Sequence, residues 1–379
     1  MARGDPSLIH EEYGSHGEEI EAYLDDIHGD VSRTFEAALT QLEDDELRRE
    51  VRDSYLLCRI ADTIEDTSLF EGDKKAEILN SYSDLLEKQV SGDAEYRDVA
   101  EWVRTVSDNL NDSHINELDG SRENVDESYW SLVRNAHTVF SSYEQFDGNS
   151  KTDVGESIIE MAEGMAEYVA RDEEGIRIRD DEDLHEYCYY AAGTVGDLLT
   201  DLFADKEDVD KEVLEENSEA YAQLLQRINV ARDPVSDVRK ENAIFTPETF
   251  LDRFDRDDFK KEIDHVTGIG RTPSDDSELV NSLEKVLDSA EQRADSAIDY
   301  ITEFSESDDK GIRAYLETPL LLALATAHQN EPSDAFSESG LKIGRQNVGR
   351  ILGSAGNISD EEWQDKDQLL KNILERPEN

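Results

Sequence analysis

Two cysteines, Cys58 and Cys188, are all that 379 residues contain, far too few for a disulfide framework. Each stands in an apolar helical stretch, where a small core residue is expected rather than a nucleophile. Prolines number only seven, and strand-like alternation is scarce, so helix formers dominate almost without interruption. Long apolar runs are missing too: the best, Pro319 to Ala327, has the length of a buried helix and not of a membrane span. The opening residues up to Leu24 carry no apolar signal-peptide core. A soluble, cytoplasmic chain is therefore expected. No nucleophile elbow or triad pattern occurs, and His137 and His185 do not fall at metal-ligand spacing.

Positive charge is the largest deficit. The chain has 38 basic residues against 93 acidic ones, a net charge of −55. Such a surface repels nucleic acid and anionic membranes, so no nucleic-acid partner is expected. High charge can also mean disorder, but Leu, Ile, Val and Phe make up roughly a quarter of the chain, above the disordered range, and they recur with helical spacing. A folded protein with an acidic skin follows. The acidic residues are spread along the whole chain, a pattern that suits a potassium-rich cytosol where salt screens self-repulsion; a halophilic source is the expectation.

The spacing predicts helices over about 18–48 (one or two), 49–67, 128–145, 150–172, 183–204, 215–238, 277–304, 308–328 and 337–354. A polar stretch near 107–127 reads as a surface loop, and Asn242 to Phe250, with Pro247, as an interruption. The expected division is a helical lead-in at 1–30, one large helical domain at 31–354 and a polar tail at 355–379, either a short peripheral helix or frayed.

Three segments carry chemistry. In the first, Tyr55 to Thr67, Asp62, Glu65 and Asp66 are spaced i, i+3 and i+4 and share one helical face with Arg59. Leu56, Leu57, Ile60, Ala61 and Ile64 make the other face apolar. Carboxylates on a buried helix are costly unless a cation compensates them, and a hard divalent ion bridging to a diphosphate does so; a solvated acidic face is the alternative. The second segment, Leu225 to Arg239, places Asp233 and Asp237 at i and i+4, with Gln226 and Asn229 in the same polar stripe. Arg59, Arg232 and Arg239 offer bidentate donors to phosphate oxygens. The third, Tyr187 to Gly196, combines tyrosines with Ala191, Ala192, Gly193 and Gly196. Two glycines so close in a helix, each costing about 1 kcal/mol relative to alanine, point to a steric demand.

In this order the three segments, with Val31 to Phe35 and Tyr315 to Thr326, resemble the head-to-head prenyl synthases of the squalene/phytoene synthase family over about Ser32 to Arg350. Ala61 to Asp66 (ADTIED) is similar to the family's first Asp-rich motif and Asn229 to Asp237 (NVARDPVSD) to its second; YCYYAAGTVG leans towards squalene synthase. The resemblance implies an all-α, single-domain isoprenoid synthase bundle around a central cavity. It implies joining of two farnesyl diphosphates to a cyclopropyl diphosphate, then reduction by NADPH to squalene. Magnesium would be held by Asp62, Glu65, Asp66, Asp233 and Asp237 with Asn229 close by, and Tyr187 would assist proton removal. Ser32, Arg33 and Phe35 would form the entry flap, and Tyr55, Arg59, Gln226, Arg232 and Arg239 would meet the diphosphates. A monomer without an integral membrane segment, touching membrane only transiently to release product, completes the expectation.

Three departures bear on it. Pro234 disfavours helical geometry at Asp233; Ser236 stands where the family usually has an acidic residue; and Lys342 to Arg345 is a thin basic cluster for NADPH. Phytoene or dehydrosqualene synthesis, or a catalytically silent helical binding or assembly factor, stand as alternatives.

Overall fold

Helix starts in this chain fall where a short acidic or hydroxyl side chain can close them. Asp44, Asp180, Asp210, Ser277, Asp309 and Ser359 each accept a backbone N–H of the first turn that follows, satisfying donors that a helix leaves open and placing negative charge at its positive end. The computed structural model describes residues 17–32, 34–112, 127–171, 175–253, 255–268, 270–337 and 339–375.

In chain order the helices are α1 (Gly17–Ser32), α2 (Thr34–Leu39), α3 (Asp45–Asp66), α4 (Gly72–Ser91), α5 (Tyr96–Asp112) and α6 (Glu127–Arg134). Next come α7 (Ala136–Tyr143), α8 (Gly148–Arg171), α9 (Asp181–Cys188), α10 (Thr194–Ala204), α11 (Lys211–Arg232) and α12 (Arg256–Gly268). The last are α13 (Glu278–Glu291), α14 (Ala294–Thr302), α15 (Lys310–Gln329), α16 (Arg345–Leu352), α17 (Asp360–Trp363) and α18 (Lys366–Leu374). Among the described residues there is no strand; a lone parallel bridge joins Arg177 to Ile244. The chain is a single all-α domain. α4 lies along α8, α3 packs on α6, α7 and α8, and α11 is enclosed by α10, α13, α14 and α15.

Each expected stretch contains helix, although the one predicted over 337–354 begins only at Arg345; other differences have local causes. α4, α5 and α12 occupy stretches for which no helix was predicted. α5 is a clear case: Val99, Trp102, Val106 and Leu110 recur every three or four residues and all are buried, each worth about 2 kcal/mol of transfer free energy. The predicted loop near 107–127 is shortened by α5, which runs to Asp112; residues 113–126 lie outside the described residues. The predicted helix over 215–238 breaks at Asp233, whose φ of −142° and ψ of 41° are not helical, as the clash between Pro234 and the preceding residue demands. There the backbone N–H of Leu341 donates to the Arg232 carbonyl (2.8 Å), closing the end of α11.

Beyond α16 the chain is tied down. α17 and α18 bury Trp363, Leu369, Leu370, Ile373 and Leu374. Glu317 in α15, fully buried, receives Arg313 Nε (2.8 Å), Trp363 Nε1 (3.0 Å) and the Gly356 N–H (2.7 Å), so the short helices are fastened to the core by one carboxylate.

Asp309 does the same at the other end of α15. Its carboxylate accepts the N–H groups of Gly311 (2.7 Å), Glu43 (3.0 Å) and Asp44 (3.0 Å), joining the start of α15 to the corner between α2 and α3. The helices approach so closely that a Cβ on Gly311 would lie 1.9 Å from the Gln41 carbonyl oxygen. Asp309→Ala orphans the buried Gly311 donor and the part-buried Glu43 and Asp44 donors at once and is expected to cost about 1–3 kcal/mol. Urea denaturation at fixed salt checks this; a loss below 0.5 kcal/mol, roughly the size of a neutral surface change, would show that the junction is not stabilising.

Candidate active site

The first acidic segment forms the last two turns of α3, after the apolar residues Leu56, Leu57, Ile60, Ala61 and Ile64 have seated the helix in the core. Glu65 is buried, Asp62 is half-buried and Asp66 opens to solvent. Arg59 pairs with Asp62 (3.1 Å) and donates to the Tyr55 hydroxyl (3.1 Å). Its guanidinium also lies 5.6 Å from the Tyr55 ring and 5.4 Å from the Tyr129 ring, a cation–π setting that fixes its direction.

The second segment comes to meet it. After Asp233, a single turn at Pro234–Ser236 leads into a π turn, Asp237–Glu241, closed by an Asn242 N–H to Asp237 carbonyl bond. A second π turn, Tyr189–Gly193, follows α9. π turns carry one residue more per bond than an α-helix and recur at functional sites. The first of them sets the carboxyls of Asp237 and Glu241 against Asp66, and Glu241 against Glu65 as well. Tyr187, on the last turn of α9, is 3% exposed; its hydroxyl lies beside Glu65, and its ring is stacked on Phe245 at 4.8 Å. α9 itself is held at its start by Asp183, which is bound by Arg171 and Arg179.

The electrostatics are those of carboxylates facing each other inside protein. Burial, then the Asp66 charge opposed by Arg59, raises Asp62 to about 7. Burial and Asp66, Asp237 and Glu65 together raise Glu241 to about 10. Glu65 and Asp237 are pushed well above the usual carboxylate range, by burial first and by their acidic neighbours second. Burial, followed by Glu65, Asp66 and Glu241, lifts the Tyr187 phenol well above its ordinary value. Lys75, on α4, is the buried cation among them; burial lowers it while Glu65, Asp66 and Glu241 oppose that shift, and its amine donates to the Glu65 carbonyl.

One oxygen of Glu65 and the Nε of Arg59 are buried without a hydrogen-bond partner among the described residues. An orphan acceptor on the acidic side and an orphan donor beside it are what a metal-bridged oxyanion would satisfy. Among the described residues no three His, Cys, Asp or Glu side chains close on one point to hold an ion alone. Magnesium commonly takes only one or two carboxylates and completes its shell with water and phosphate oxygens, so the facing pair of carboxylate sets suits it.

The structure thus brings Tyr55, Arg59, Asp62, Glu65, Asp66, Tyr187 and Asp237 together. Asp233 and Arg232 lie beside Asp237. Ser32 and Phe35 reach the site through aromatic contacts: Ser32 bonds His28 (3.3 Å), whose ring lies 5.1 Å from Tyr55, and the Phe35 ring is 5.7 Å from Tyr55. Arg33 lies outside the described residues. Gln226 is half-buried and Asn229 exposed; among the described residues neither is bonded to the carboxylates. Arg239 turns to α12 instead, bonding Thr267 and standing 3.8 Å from Asp264. The steric demand at the two glycines comes from the protein itself: a Cβ on Gly196 would press on Ser218 of α11 and one on Gly193 on the Tyr189 ring.

Glu241 and Lys75 were missed by sequence reasoning. Glu241 is four residues beyond Asp237, a spacing that extends the second acidic segment; nothing in the sequence marks Lys75.

Residues 28–343 match the sequence model of the family described as Squalene/phytoene synthase. The chain belongs to that family. It is 27% identical over 316 residues to "Squalene synthase clz20" of Cochliobolus lunatus, covering 83% of this chain and 66% of that protein. It is 25% identical over 306 residues to squalene synthase of Rattus norvegicus, covering 80% and 61%. The chain therefore spans slightly less than two thirds of the length of these relatives. In fold it is similar to TcSQS solved with the ligand E5700 (TM-score 0.68, 22% identity, 94% of this chain and 90% of that one). It is similar also to a dehydrosqualene synthase solved with a ligand (TM-score 0.57, 17% identity, 96% and 99%). The family resemblance read from the motifs and the all-α expectation both hold. Among the described residues no helix is long and apolar enough to cross a membrane.

Glu241 gives a pH-dependent test. The unfolded chain releases its proton near the ordinary carboxylate value, whereas the folded site retains it to about 10. Its contribution is therefore complete at low pH and lost as pH rises. In EDTA, Glu241→Gln is expected to be near neutral at pH 5 and stabilising at pH 8, by about 1 kcal/mol or more. Melting curves at both pH values and constant ionic strength decide it; a variant less stable than the parent at pH 8 would contradict the crowding of acids around Glu241.

Proposed function

We propose that this chain joins two molecules of farnesyl diphosphate head to head and reduces the cyclopropyl diphosphate so formed to squalene with NADPH. The observation that carries the reading is the facing of two acidic helical segments, Asp62/Glu65/Asp66 and Asp237/Glu241, across one site with Tyr187 between them. The names of the relatives support it. Asp62, Asp66, Asp233 and Asp237, with Glu65, would hold magnesium ions, which would supply Lewis-acid stabilisation of a departing diphosphate.

The chain's own residues do the rest. Arg59, aimed by Asp62, Tyr55 and Tyr129, and Arg232 beside Asp237 present guanidinium forks to diphosphate oxygens. Tyr55 and Phe35 offer ring faces near the same end, able to stabilise cationic carbon. Tyr187 keeps its proton at working pH because burial and its acidic neighbours disfavour the phenolate. It can therefore donate a hydrogen bond to a diphosphate oxygen and relay the proton lost from the prenyl chain, accepting that proton at the phenol oxygen as its own passes to the diphosphate oxygen. NADPH delivery rests on the family and on Lys342 and Arg345, both exposed near the start of α16.

That thin basic pair keeps a second reading open, dehydrosqualene formed without hydride transfer. Incubation with labelled farnesyl diphosphate and magnesium, with and without NADPH, separates the two: squalene dependent on NADPH supports the first, dehydrosqualene in both tubes the second. No hydrocarbon from either farnesyl or geranylgeranyl diphosphate would sink both. Asp62→Asn and Asp237→Asn are expected to lower turnover at least a thousandfold with melting behaviour retained, and wild-type rates in either would remove these groups from the site. Tyr187→Phe is expected to slow the first condensation more than it raises KM; an unchanged single-turnover rate would take Tyr187 out of the mechanism.

A further inference from the structure

Two neighbouring lysines at the start of α4 take opposite courses. Lys74 stays outside and pairs with Glu77 one turn further on (2.9 Å). Lys75 turns inward, is 8% exposed, and its ammonium donates to the Glu65 carbonyl near the end of α3. The start of α4 has little freedom to place it otherwise, because a Cβ on Gly72 would lie 2.1 Å from the Val169 carbonyl oxygen of α8.

We propose that Lys75 is the resident counter-cation of the acidic site. It is a positioning residue that holds Glu65, Asp66 and Glu241 together before a metal ion arrives, and it weakens the grip of the empty site on that ion. This role rests on the reading of the site as a holder of divalent cations, and not on which hydrocarbon is made.

The ammonium stands within electrostatic reach of Glu65, Asp66, Glu241 and Glu71. Glu65 and Asp66 belong to the first acidic segment and Glu241 to the second, so one cation serves both sides. The other cations are aimed elsewhere. Arg59 faces Asp62 (3.1 Å) and the Tyr55 hydroxyl (3.1 Å), and Arg232 and Lys240 act on Asp237. Asp66 lies between Arg59 and Lys75, whereas the cation acting most on Glu65 and Glu241 is Lys75.

An ammonium on a flexible stem is a compact charge that needs no fixed fork of partners. Taking it from a buried charged set leaves the other members uncompensated. The same charge also opposes a metal. Two unit charges about 4 Å apart interact by about 1 kcal/mol even in water-like surroundings, and a divalent ion doubles that. Lys75 does not seal the site, however: it takes the Glu65 carbonyl, while one carboxylate oxygen of Glu65 has no hydrogen-bond partner among the described residues. The lysine thus steadies the carboxyls and leaves an oxygen free for an ion.

The test is titration of the full chain with Mn2+, a divalent ion suited to oxygen ligands as magnesium is, with the free ion followed by electron paramagnetic resonance at fixed pH and ionic strength. Lys75→Met keeps an apolar stem without the charge, and Lys75→Gln keeps a donor for the Glu65 carbonyl. Both are expected to bind Mn2+ tighter than the parent by about fivefold or more. They should melt below it in EDTA and recover most of that deficit at saturating Mn2+; a charge-free variant that folds only with the ion present counts in the same direction. Lys75→Arg should match the parent's affinity, and Lys74→Met should change nothing. A packing role alone would lower melting equally with and without the ion and leave the affinity where it was. That result, or weaker binding by folded charge-free variants, overturns the proposal. Failure of parent and variants alike to bind the ion overturns it too, together with the metal site. Binding that responds to Lys75 as stated, with no hydrocarbon formed, keeps this role and counts against the reaction instead.

Discussion

The arrangement depends on one electrostatic conflict: carboxyl groups of two helical segments are pressed towards each other in surroundings that disfavour their charge. Asp66 and Asp237 face across the site, Glu65 and Glu241 crowd beside them, and Lys75 is the buried cation in reach. Left alone, such a set retains protons or pushes its segments apart. The remainder of the fold holds them in place. Apolar residues of α3 seat the first segment, the loop at Leu341 closes the helix before the second, and Asp183 steadies the helix that carries Tyr187. Stability is spent there to keep a strong attraction for cations and cation-bound anions available.

The two uses of acid in this chain differ physically. Most of the described acidic residues are exposed and form a hydrated skin, where salt screens them and individual pairs contribute little. A few stand where protein replaces water on several sides, and there the same side chains have altered protonation. Composition alone cannot separate these populations. Helical spacing separates some: Asp62, Glu65 and Asp66 share a face opposite an apolar one, and that pattern was readable.

What was legible follows from which forces are local. Apolar periodicity made the helical class plain, and the spacing of the acidic segments located most of the site. The proline rule correctly marked Asp233 as the residue that leaves the helix. Less legible were features set by packing between distant segments. Lys75 reaches Glu65 because α4 folds back along α3, which nothing in its neighbourhood announces. Arg239, by its spacing a partner for phosphate, is drawn to Thr267 and Asp264 once α12 docks. Glu241 joined the site because the backbone takes a π turn, a choice hidden from periodicity analysis based on regular helices.

That turn has an evolutionary side. A π turn equals an α-helix that has absorbed one extra residue, so its geometry is a product of chain length as much as of side-chain identity. Removing any one residue between Asp237 and Glu241 would let the segment relax to regular helix. That relaxation would rotate Glu241 away from Asp66 and shift Asn242 off Arg177 and Lys260 together. In this region insertions and deletions are therefore a more drastic currency of change than substitutions, and a lineage could gain or lose the place of Glu241 among the facing carboxyls in a single codon step.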